Sequence, residues 1–186
     1  HIMSGMWFRE YGGVNRGFHM GDDYMTMDIA LEKDPNYQEI TWEMAQHIED
    51  CTNEAIWQNL PVITRHFESK KEAKGLPLRK ELNIDKDITI VCVGSIENPS
   101  DCVACCGTHP ATSGQVGLVK IFKVEKNKGM FRIYFEAGKR AAKDFAQKHD
   151  LVTKLGNKYS AGVDDLLKKI EAQEEKTKEL KAIHAK

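Results

Sequence analysis

The chain has 186 residues, of which 41% are hydrophobic and 30% charged, and this length fits one domain or one domain with an appendage. The composition excludes a disordered chain, no apolar run approaches the roughly 20 residues of a bilayer span, and the first residues do not resemble a signal peptide. The formal net charge is −1, so nucleic acid could be bound only through a local basic patch.

The N-terminal part of the chain alternates between helical and extended patterns. Residues 1–11 are predicted to form a helix that Gly12-Gly13 ends. Residues 24–31 alternate between the two faces of a predicted strand. Thr41 is a suitable N-cap for a helix that runs to about Asn59, because apolar residues recur there at helical spacing.

The middle of the chain predicts strands separated by a loop. Residues 62–68 alternate as a strand does, and residues 88–95 form a nearly continuous β-branched run. Such a run predicts a strand buried on both faces. The Gly- and Pro-containing segment 96–117 is predicted to be loop. Residues 118–138 predict a hairpin with its turn near Lys128-Gly129.

The C-terminal part predicts helices. One runs from Lys139 to about Asp150, a second short helix and "GNKYSAG" follow, and a long charged helix runs from Asp164 to Ala185. The apolar seam of this last helix is too thin to stabilise a lone helix, so we expect it to pack on a partner chain or on a following domain. The seam consists of Val163, Leu166, Leu167, Ile170, Leu180 and Ile183.

Strands and helices are thus mixed without a regular βαβ alternation. This order predicts an α+β fold, in which helices pack on a mixed or antiparallel sheet and a helical extension follows at the C-terminus.

The five cysteines stand at positions 51, 92, 102, 105 and 106. An odd number at irregular spacing is a poor disulfide framework. We therefore expect a reducing cytoplasm, where clustered cysteines and histidines more often bind metal or do chemistry.

Three of these cysteines fall in "DCVACCGTHP" (101–110). Cys105 and His109 are four residues apart, and thiolate and imidazole are ligands that zinc prefers. Gly107 would permit a tight bend between them. Two alternatives stay open. One is a loop with small, partly buried cysteines. The other is a redox pair of Cys102 and Cys105, which is less favoured because the motif opens no helix that would lower a thiol pKa.

Two ligands do not complete a zinc site, so the other histidines matter. Most are expected on exposed or peripheral positions of predicted helices and strands, namely His47, His66, His149 and His184. This leaves His1 and His19. From the residues alone, His1 could also be left over from cloning, and His19 could be a surface histidine on a strand.

Residues 104–141 contain a Cys-x-Gly-Thr-His motif, a Thr/Ser-Gly-x-(Ile/Val)-Gly motif and a predicted hairpin after them. The segments "GFHMGDDYMTMDI", "NEAIWQNLPV" and "GLPLRKE" stand before these motifs. All these stretches resemble, in order along the chain, the editing domain of alanyl-tRNA synthetases and its freestanding AlaX relatives. The residues that match one by one are Cys105, Gly107, Thr108, His109, Gly114, Gly117, Arg132 and Gly138.

The resemblance implies a zinc site that joins the Cys-x-x-x-His motif to a His-x-x-x-His motif. "HIMSGMWF" fits the second histidine of that motif, so the implied ligands are His1, Cys105 and His109. The first histidine would lie four positions before His1, and neither it nor the small β-barrel that precedes this domain in AlaX proteins occurs in the sequence. We therefore expect a fragment of a longer protein, or an incomplete zinc site.

The resemblance also implies an architecture. Residues 1–141 correspond to the zinc-binding editing-like domain, with the two-layer sandwich of synthetase editing domains, and residues 142–186 to a helical connector. In long AlaX proteins this connector leads to an oligomerising domain, so a homodimer formed through the C-terminal helix is one expectation.

The activity that the resemblance implies is hydrolysis, in trans, of Ser-tRNA(Ala) or Gly-tRNA(Ala). Its implied site residues are His19, which would sense a serine hydroxyl, with Thr26 and Thr108. Binding the aminoacylated end of tRNA needs phosphate contacts, for which the candidates are Arg79, Lys80, Lys120, Lys123, Lys126, Lys128 and Arg132. Two alternatives are a non-catalytic, zinc-stabilised module that binds tRNA or oligomerises, and a hydrolase of some other small ester.

Overall fold

The computed structural model describes residues 1–185. The helices in them are α1 (Ile2–Tyr11), α2 (Trp42–Trp57), α3 (Gly138–Tyr159) and α4 (Val163–His184). The strands are β1 (Gly13–Met20), β2 (Met25–Leu31), β3 (Val62–Ser69), β4 (Lys86–Gly94), β5 (Pro99–Ala104), β6 (Val119–Asn127) and β7 (Met130–Ala137). The prediction of an α+β fold with a helical C-terminal extension is confirmed.

The strands form two antiparallel sheets, with the orders β1-β2-β7-β6 and β3-β4-β5. In the four-stranded sheet alternate side chains enter one hydrophobic core, as Met27, Ile29 and Ile133 do, together with apolar residues of α1 and α2. Removing this apolar surface from water, at about 25 cal/mol per Å², is the main force that holds the two helices on the sheet.

Both N-terminal helices have the ends that their sequence predicts. Gly12 ends α1 in a left-handed conformation with φ 62°, and its N–H donates to the Phe8 carbonyl at 3.0 Å. Thr41 begins α2, and its Oγ1 accepts a hydrogen bond from the Met44 N–H at 3.2 Å.

The three-stranded sheet has β4 at its centre. Ile88 and Ile90 belong to a small hydrophobic cluster on one side, whereas Val93 belongs to the main core. Both faces of the strand are therefore buried, as its continuous β-branched sequence predicts.

The prediction of a loop over residues 96–117 is wrong for the first part of this segment, because β5 pairs with β4 there. Pro99 stands at the first position of this edge strand, where a missing N–H costs no ladder hydrogen bond. The rest of the segment contains a short 3-10 helix at Ser113–Val116.

The β4–β5 register also corrects the expectation that the cysteines form no disulfide. Cys92 lies directly opposite Cys102, their Cα atoms are 4.2 Å apart, and their sulfur atoms are bonded. Cys102 is therefore not available for a redox pair with Cys105. The free cysteines are Cys51, Cys105 and Cys106.

The chain divides into one unit that spans His1–Ala141 and another that begins at Ala142. The two helices predicted from Lys139 onward are one continuous helix, α3, which includes the first four residues of "GNKYSAG". Gly156 does not break it. The helix ends instead where Ser160 adopts φ 50° and the Ala161 N–H donates to the Gly156 carbonyl at 2.9 Å.

The apolar seam of α4 is covered at Leu166, which is buried, but Val163, Leu167, Leu180 and Ile183 are exposed. Among the helices of residues 1–185, none is both long and apolar enough to cross a membrane.

Candidate metal centre and cavity

The first turn of α1 lies close to β5. A Cβ atom on Gly5 would stand 2.2 Å from the Ser100 carbonyl oxygen, so only glycine permits this approach of helix backbone to strand backbone. The His1 carbonyl accepts the first helical hydrogen bond, from the Gly5 N–H at 2.9 Å. This packing fixes His1 beside the end of β5.

The loop after β5 brings Cys105 and His109 to the same place. The Cys105 N–H donates to the Thr89 carbonyl at 3.0 Å, which extends the sheet pairing to the start of the loop. The Val62 N–H donates to the Ala111 carbonyl at 2.9 Å and anchors its other end. Both ends of the loop are therefore tied to strands.

The three ligands implied by the resemblance meet in one cluster. One ligand atom each of His1, Cys105 and His109 lie within 4.8 Å of one another, and the two histidine Nε2 atoms are 3.0 Å apart. Gly107 is not left-handed, so it does not supply the bend through a special φ. Its N–H instead donates to the Cys105 Sγ at 3.4 Å, which holds the loop backbone against the sulfur.

A buried carboxylate orients the His1 ring. Asp101 has a side chain with no exposed surface, and its Oδ2 lies 3.1 Å from His1 Nδ1. Arg79 holds the same carboxylate, with its Nε donating to Oδ1 at 2.6 Å. When Nδ1–H donates to Asp101, Nε2 is left with its lone pair toward the cluster, which is the arrangement that supports a metal-binding histidine.

The second imidazole is biased toward its neutral form. Burial lowers the pKa of His109, and the neighbouring His1 lowers it further. A neutral imidazole is the form that can coordinate a metal.

One sulfur and two imidazole nitrogens, one of them backed by a buried carboxylate, are a donor set that fits zinc. Three protein ligands leave a tetrahedral position for a water, a substrate atom or a further ligand. His1, Cys105 and His109 are the residues that would hold the ion.

The cluster opens into a cavity of about 500 Å³, a size that accommodates a small organic ligand. Its walls are mainly apolar and include Met27, Val93 and Phe135. A polar pair interrupts them: Asn15 Nδ2 donates to Ser4 Oγ at 2.8 Å. Asn15 Oδ1 accepts from the Gly17 N–H at 3.1 Å, which fixes the orientation of the amide.

The three predicted catalytic residues are not brought together. Thr108 lines the cavity next to the cluster, but His19 and Thr26 do not line it. They are cross-strand partners on β1 and β2 and face away from the cavity, whereas the neighbouring pair Phe18 and Met27 lines it. The roles of His19 and Thr26 stay predictions.

A bulge in β1 explains the direction of His19. Strict alternation from Asn15, which lines the cavity, would turn His19 toward the cavity as well. The register shifts between Asn15 and Gly17, so Arg16 is an extra residue in β1. Because of this extra residue, the side chain of Phe18 faces the cavity and that of His19 faces the other side of the sheet.

Most of the predicted phosphate contacts are paired with carboxylates. Arg79 is bound to Asp101 and its side chain is only 7% exposed, so it supports His1 and does not face solvent. The other paired members are Lys120, Lys123, Lys126 and Arg132. These four retain exposed surface at which a phosphate can compete.

Sequence reasoning missed four residues of this site: Ser4, Asn15, Asp101 and the supporting role of Arg79. Asp101 opens the "DCVACCGTHP" stretch, and an acidic residue beside a Cys/His motif is the one local signal that could have identified it. Ser4 and Asn15 carry no such signal, because their meeting depends on how α1 packs on β1.

A cavity of this kind, with a candidate metal centre at its mouth in an α+β fold, is typical of proteins that bind a small molecule or a cofactor. Comparison with known proteins narrows that class. Residues 88–134 match the family described as the threonyl and alanyl tRNA synthetase second additional domain.

Curated relatives extend the match over almost all of the chain. The alanyl-tRNA editing protein AlaX-L of Pyrococcus horikoshii is 26% identical over 97% of this chain and 44% of its own length. The alanine–tRNA ligase of Methanothrix thermoacetophila is 28% identical over 81% of the chain and 16% of its own length. That of Pyrobaculum arsenaticum is 33% identical over 62% and 13%.

The resemblance stated from the sequence is thus confirmed: the chain is similar to an alanyl-tRNA editing protein and to alanine–tRNA ligases. The chain spans less than half the length of these curated relatives.

Proposed function

We propose that the protein is a zinc-dependent aminoacyl-tRNA deacylase that hydrolyses mischarged Ser-tRNA(Ala) or Gly-tRNA(Ala) in trans. The observation that carries this proposal is the cluster of His1, Cys105 and His109 at the mouth of the cavity. The likeness to a protein named for alanyl-tRNA editing supports the choice of substrate class.

The proposed reaction is hydrolysis of an ester, which is already activated and needs a positioned water more than a strong nucleophile. When bound, zinc would polarise the ester carbonyl or lower the pKa of a bound water. Asp101 and Arg79 would keep the His1 ring in the ligating orientation. Thr108, next to the ligands, would orient the ester or the water.

Selection of the amino acid is proposed to depend on the polar pair in the apolar wall. Ser4 Oγ, held by Asn15, can hydrogen-bond a serine hydroxyl that enters the cavity. Alanine has no such hydroxyl, so its ester would leave the site with one hydrogen bond fewer. This supports serine as the preferred side chain.

The remaining parts of the proposal concern the environment of the site. Residues 1–141 would form the zinc-binding editing-like domain and residues 142–186 a helical connector. The exposed apolar residues of α4, such as Leu167 and Leu180, support a homodimer through this helix. The proposal includes a cytoplasmic location, which the free thiols of Cys105 and Cys106 fit, whereas the Cys92–Cys102 disulfide is a bond more common in oxidising compartments.

The test is deacylation of purified Ser-tRNA(Ala), Gly-tRNA(Ala) and Ala-tRNA(Ala). We expect release of serine or glycine to exceed release of alanine, to stop after chelation and to return when zinc is added. Cys105→Ala should abolish the reaction, whereas Cys106→Ala, which removes the exposed neighbouring thiol, should keep it. Equal hydrolysis of all three substrates, or full activity without zinc, would refute the proposal.

A second candidate, a non-catalytic module that binds tRNA, is favoured by one observation. Tyr24, Phe122 and Tyr134 form an aromatic group with ring centroids 5.2–6.4 Å apart, and Lys123 Nζ lies 4.8 Å from the Tyr134 ring centroid. Two of the rings, those of Tyr24 and Phe122, are exposed. Exposed rings beside a cation suit the stacking of unpaired bases. Binding of tRNA without any deacylation would favour this candidate.

A further inference from the structure

We propose that Glu10, His47 and Cys51 form a second metal site, for a zinc-like divalent cation, in the cleft between α1 and α2. One ligand atom of each residue lies within 4.8 Å of the other two. None of the three belongs to the His1–Cys105–His109 cluster or lines its cavity. The proposal therefore does not depend on the proposed deacylase.

The distances within this group match those around a tetrahedral ion. With metal–sulfur bonds of about 2.3 Å and metal–nitrogen and metal–oxygen bonds of about 2.0–2.2 Å, tetrahedral ligand atoms lie about 3.6 Å (sulfur to nitrogen) and about 3.4 Å (nitrogen to oxygen) apart. Cys51 Sγ is 3.6 Å from His47 Nε2. Glu10 Oε2 is 3.4 Å from the same nitrogen.

The convergence on one nitrogen argues for an ion and against a catalytic Cys–His–Glu relay. In such a relay the nucleophile and the orienting carboxylate contact opposite nitrogens of the imidazole. Here both groups are nearest to Nε2, the carboxylate oxygen at 3.4 Å and Cys51 Sγ at 3.6 Å. Because Sγ is also only 4.0 Å from Nδ1, it lies beside the ring, and the Cys51 or His47 side chain must rotate for both to share an ion in line with Nε2.

The fold places these ligands independently of any ion. His47 and Cys51 are separated by one helical turn and lie on the same face of α2. Glu10 lies in the last turn of α1, which packs against α2. Arg9 Nε donates to Glu10 Oε1 at 3.2 Å, which leaves Oε2 directed at His47.

Other charges face the same cleft. Asp50 and Glu54 line it from α2 and favour a cation, and Arg9 lines it from α1 and opposes one. A thiolate from Cys51 together with the Glu10 carboxylate would offset the charge of a divalent ion. Bound there, the ion would join α1 to α2 and stabilise the folded chain, since the unfolded chain lacks the preformed site.

The experiment uses the full chain with the first cluster removed by Cys105→Ala and His109→Ala. We expect this variant still to bind one equivalent of Zn²⁺, to melt at a higher temperature when Zn²⁺ is added, and to give a thiolate-to-metal absorption band with Co²⁺. Adding Cys51→Ser should remove the band, and adding Glu10→Gln should weaken Zn²⁺ binding by more than about tenfold.

Matched controls in the same background are Cys106→Ser, which removes the remaining exposed thiol, and His66→Gln, which alters an exposed histidine on β3. Both should leave the Zn²⁺ equivalent and the Co²⁺ band unchanged. A background variant that binds no Zn²⁺, or a Co²⁺ band that persists after Cys51→Ser, would overturn the proposal.

A folding defect of the background variant would not remove the test. Cys51→Ser in the otherwise unchanged chain should lower the zinc content by one equivalent, and an unchanged content would equally overturn the second site. If the unchanged chain binds two equivalents of zinc but does not deacylate Ser-tRNA(Ala) or Gly-tRNA(Ala), that result would count against the proposed function alone.

Discussion

The two His/Cys clusters contain similar ligands but differ in what lies behind them. In the first, His1 is held by Asp101, which is inaccessible to solvent and bound in turn by Arg79. In the second, the side chain of His47 is 49% exposed, and it contacts Glu10, whose own support is the exposed pair with Arg9.

We expect this difference to separate a site that supports chemistry from a site that only binds an ion. Buried support fixes the ring orientation and excludes water, and the first cluster opens into a cavity that can hold a substrate. The second lies in a shallow cleft, where exchange with solvent is easy. The first is therefore expected to bind its ion more tightly and to be the one that hydrolyses the ester.

The largest expected effect is that of removing a ligand from the first cluster. His109→Ala should lower the rate of Ser-tRNA(Ala) hydrolysis by at least about 10²-fold, because several kcal/mol of transition-state stabilisation depend on the ion. Zinc content measured on the same samples should fall by one equivalent. His66→Ala, at an exposed position of β3, serves as the control. An active His109→Ala variant would remove the contrast between the clusters.

The next largest effect is expected from changing Asp101, the buried carboxylate that orients the His1 ring. Asp101→Asn keeps the shape of the side chain but removes the charge that favours Nδ1–H on His1. We expect zinc affinity, measured by competition with a chelator, to fall by about 10–100-fold. Arg79 would also lose its ionic partner in a buried setting, so unfolding in urea should occur at lower concentration.

Glu10→Gln provides the counterpart in the second cluster. It should change the urea midpoint little in the absence of metal, because the Glu10 side chain is 31% exposed and its ion pairs are near the surface. If Asp101→Asn and Glu10→Gln have equal effects on stability, the distinction between buried and exposed support is wrong.

A smaller effect is expected from changing how α1 reaches the first cluster. Gly5→Ala places a methyl group against the Ser100 carbonyl oxygen, so α1 must move away from β5. We expect a loss of about 1–3 kcal/mol in the free energy of unfolding, with weaker zinc binding because His1 moves with the helix. Gly162→Ala, where a Cβ meets no atom within 4 Å, should change stability by less than about 0.5 kcal/mol.

Local patterns predicted the elements that local chemistry determines. The Gly12 end of α1, the Thr41 cap of α2 and the hairpin turn at Lys128-Gly129 are all present, the last with φ 50° and 78°. Local patterns missed features that depend on distant partners. The role of Asp101 requires Arg79 and His1, which are 22 and 100 residues away.

The resemblance to a family overcame this limit for the meeting of His1, Cys105 and His109 but not for the lining of the cavity. It paired His1 with Cys105 across the whole domain, which no spacing rule could do. It could not show the bulge at Arg16, since a single inserted residue reverses the faces of a strand without leaving a clear pattern in the sequence. The resemblance implied His19 and Thr26 as site residues, but the bulge turns His19 away from the cavity, and Thr26 alternates with Met25 and Met27, which line it.

The smallest expected effect distinguishes the two sides of that sheet. Thr108→Val removes a hydroxyl that lines the cavity, and one lost hydrogen bond of about 0.5–1.5 kcal/mol corresponds to a rate about 2–10-fold lower. Thr26→Val keeps the shape of a side chain that faces away from the cavity, so it should leave the rate of Ser-tRNA(Ala) hydrolysis within about twofold. His19→Ala should behave like Thr26→Val. Single-turnover rates measure all three variants, and a loss confined to His19→Ala and Thr26→Val would place the substrate on the outer face of the sheet and return the catalytic role to those residues.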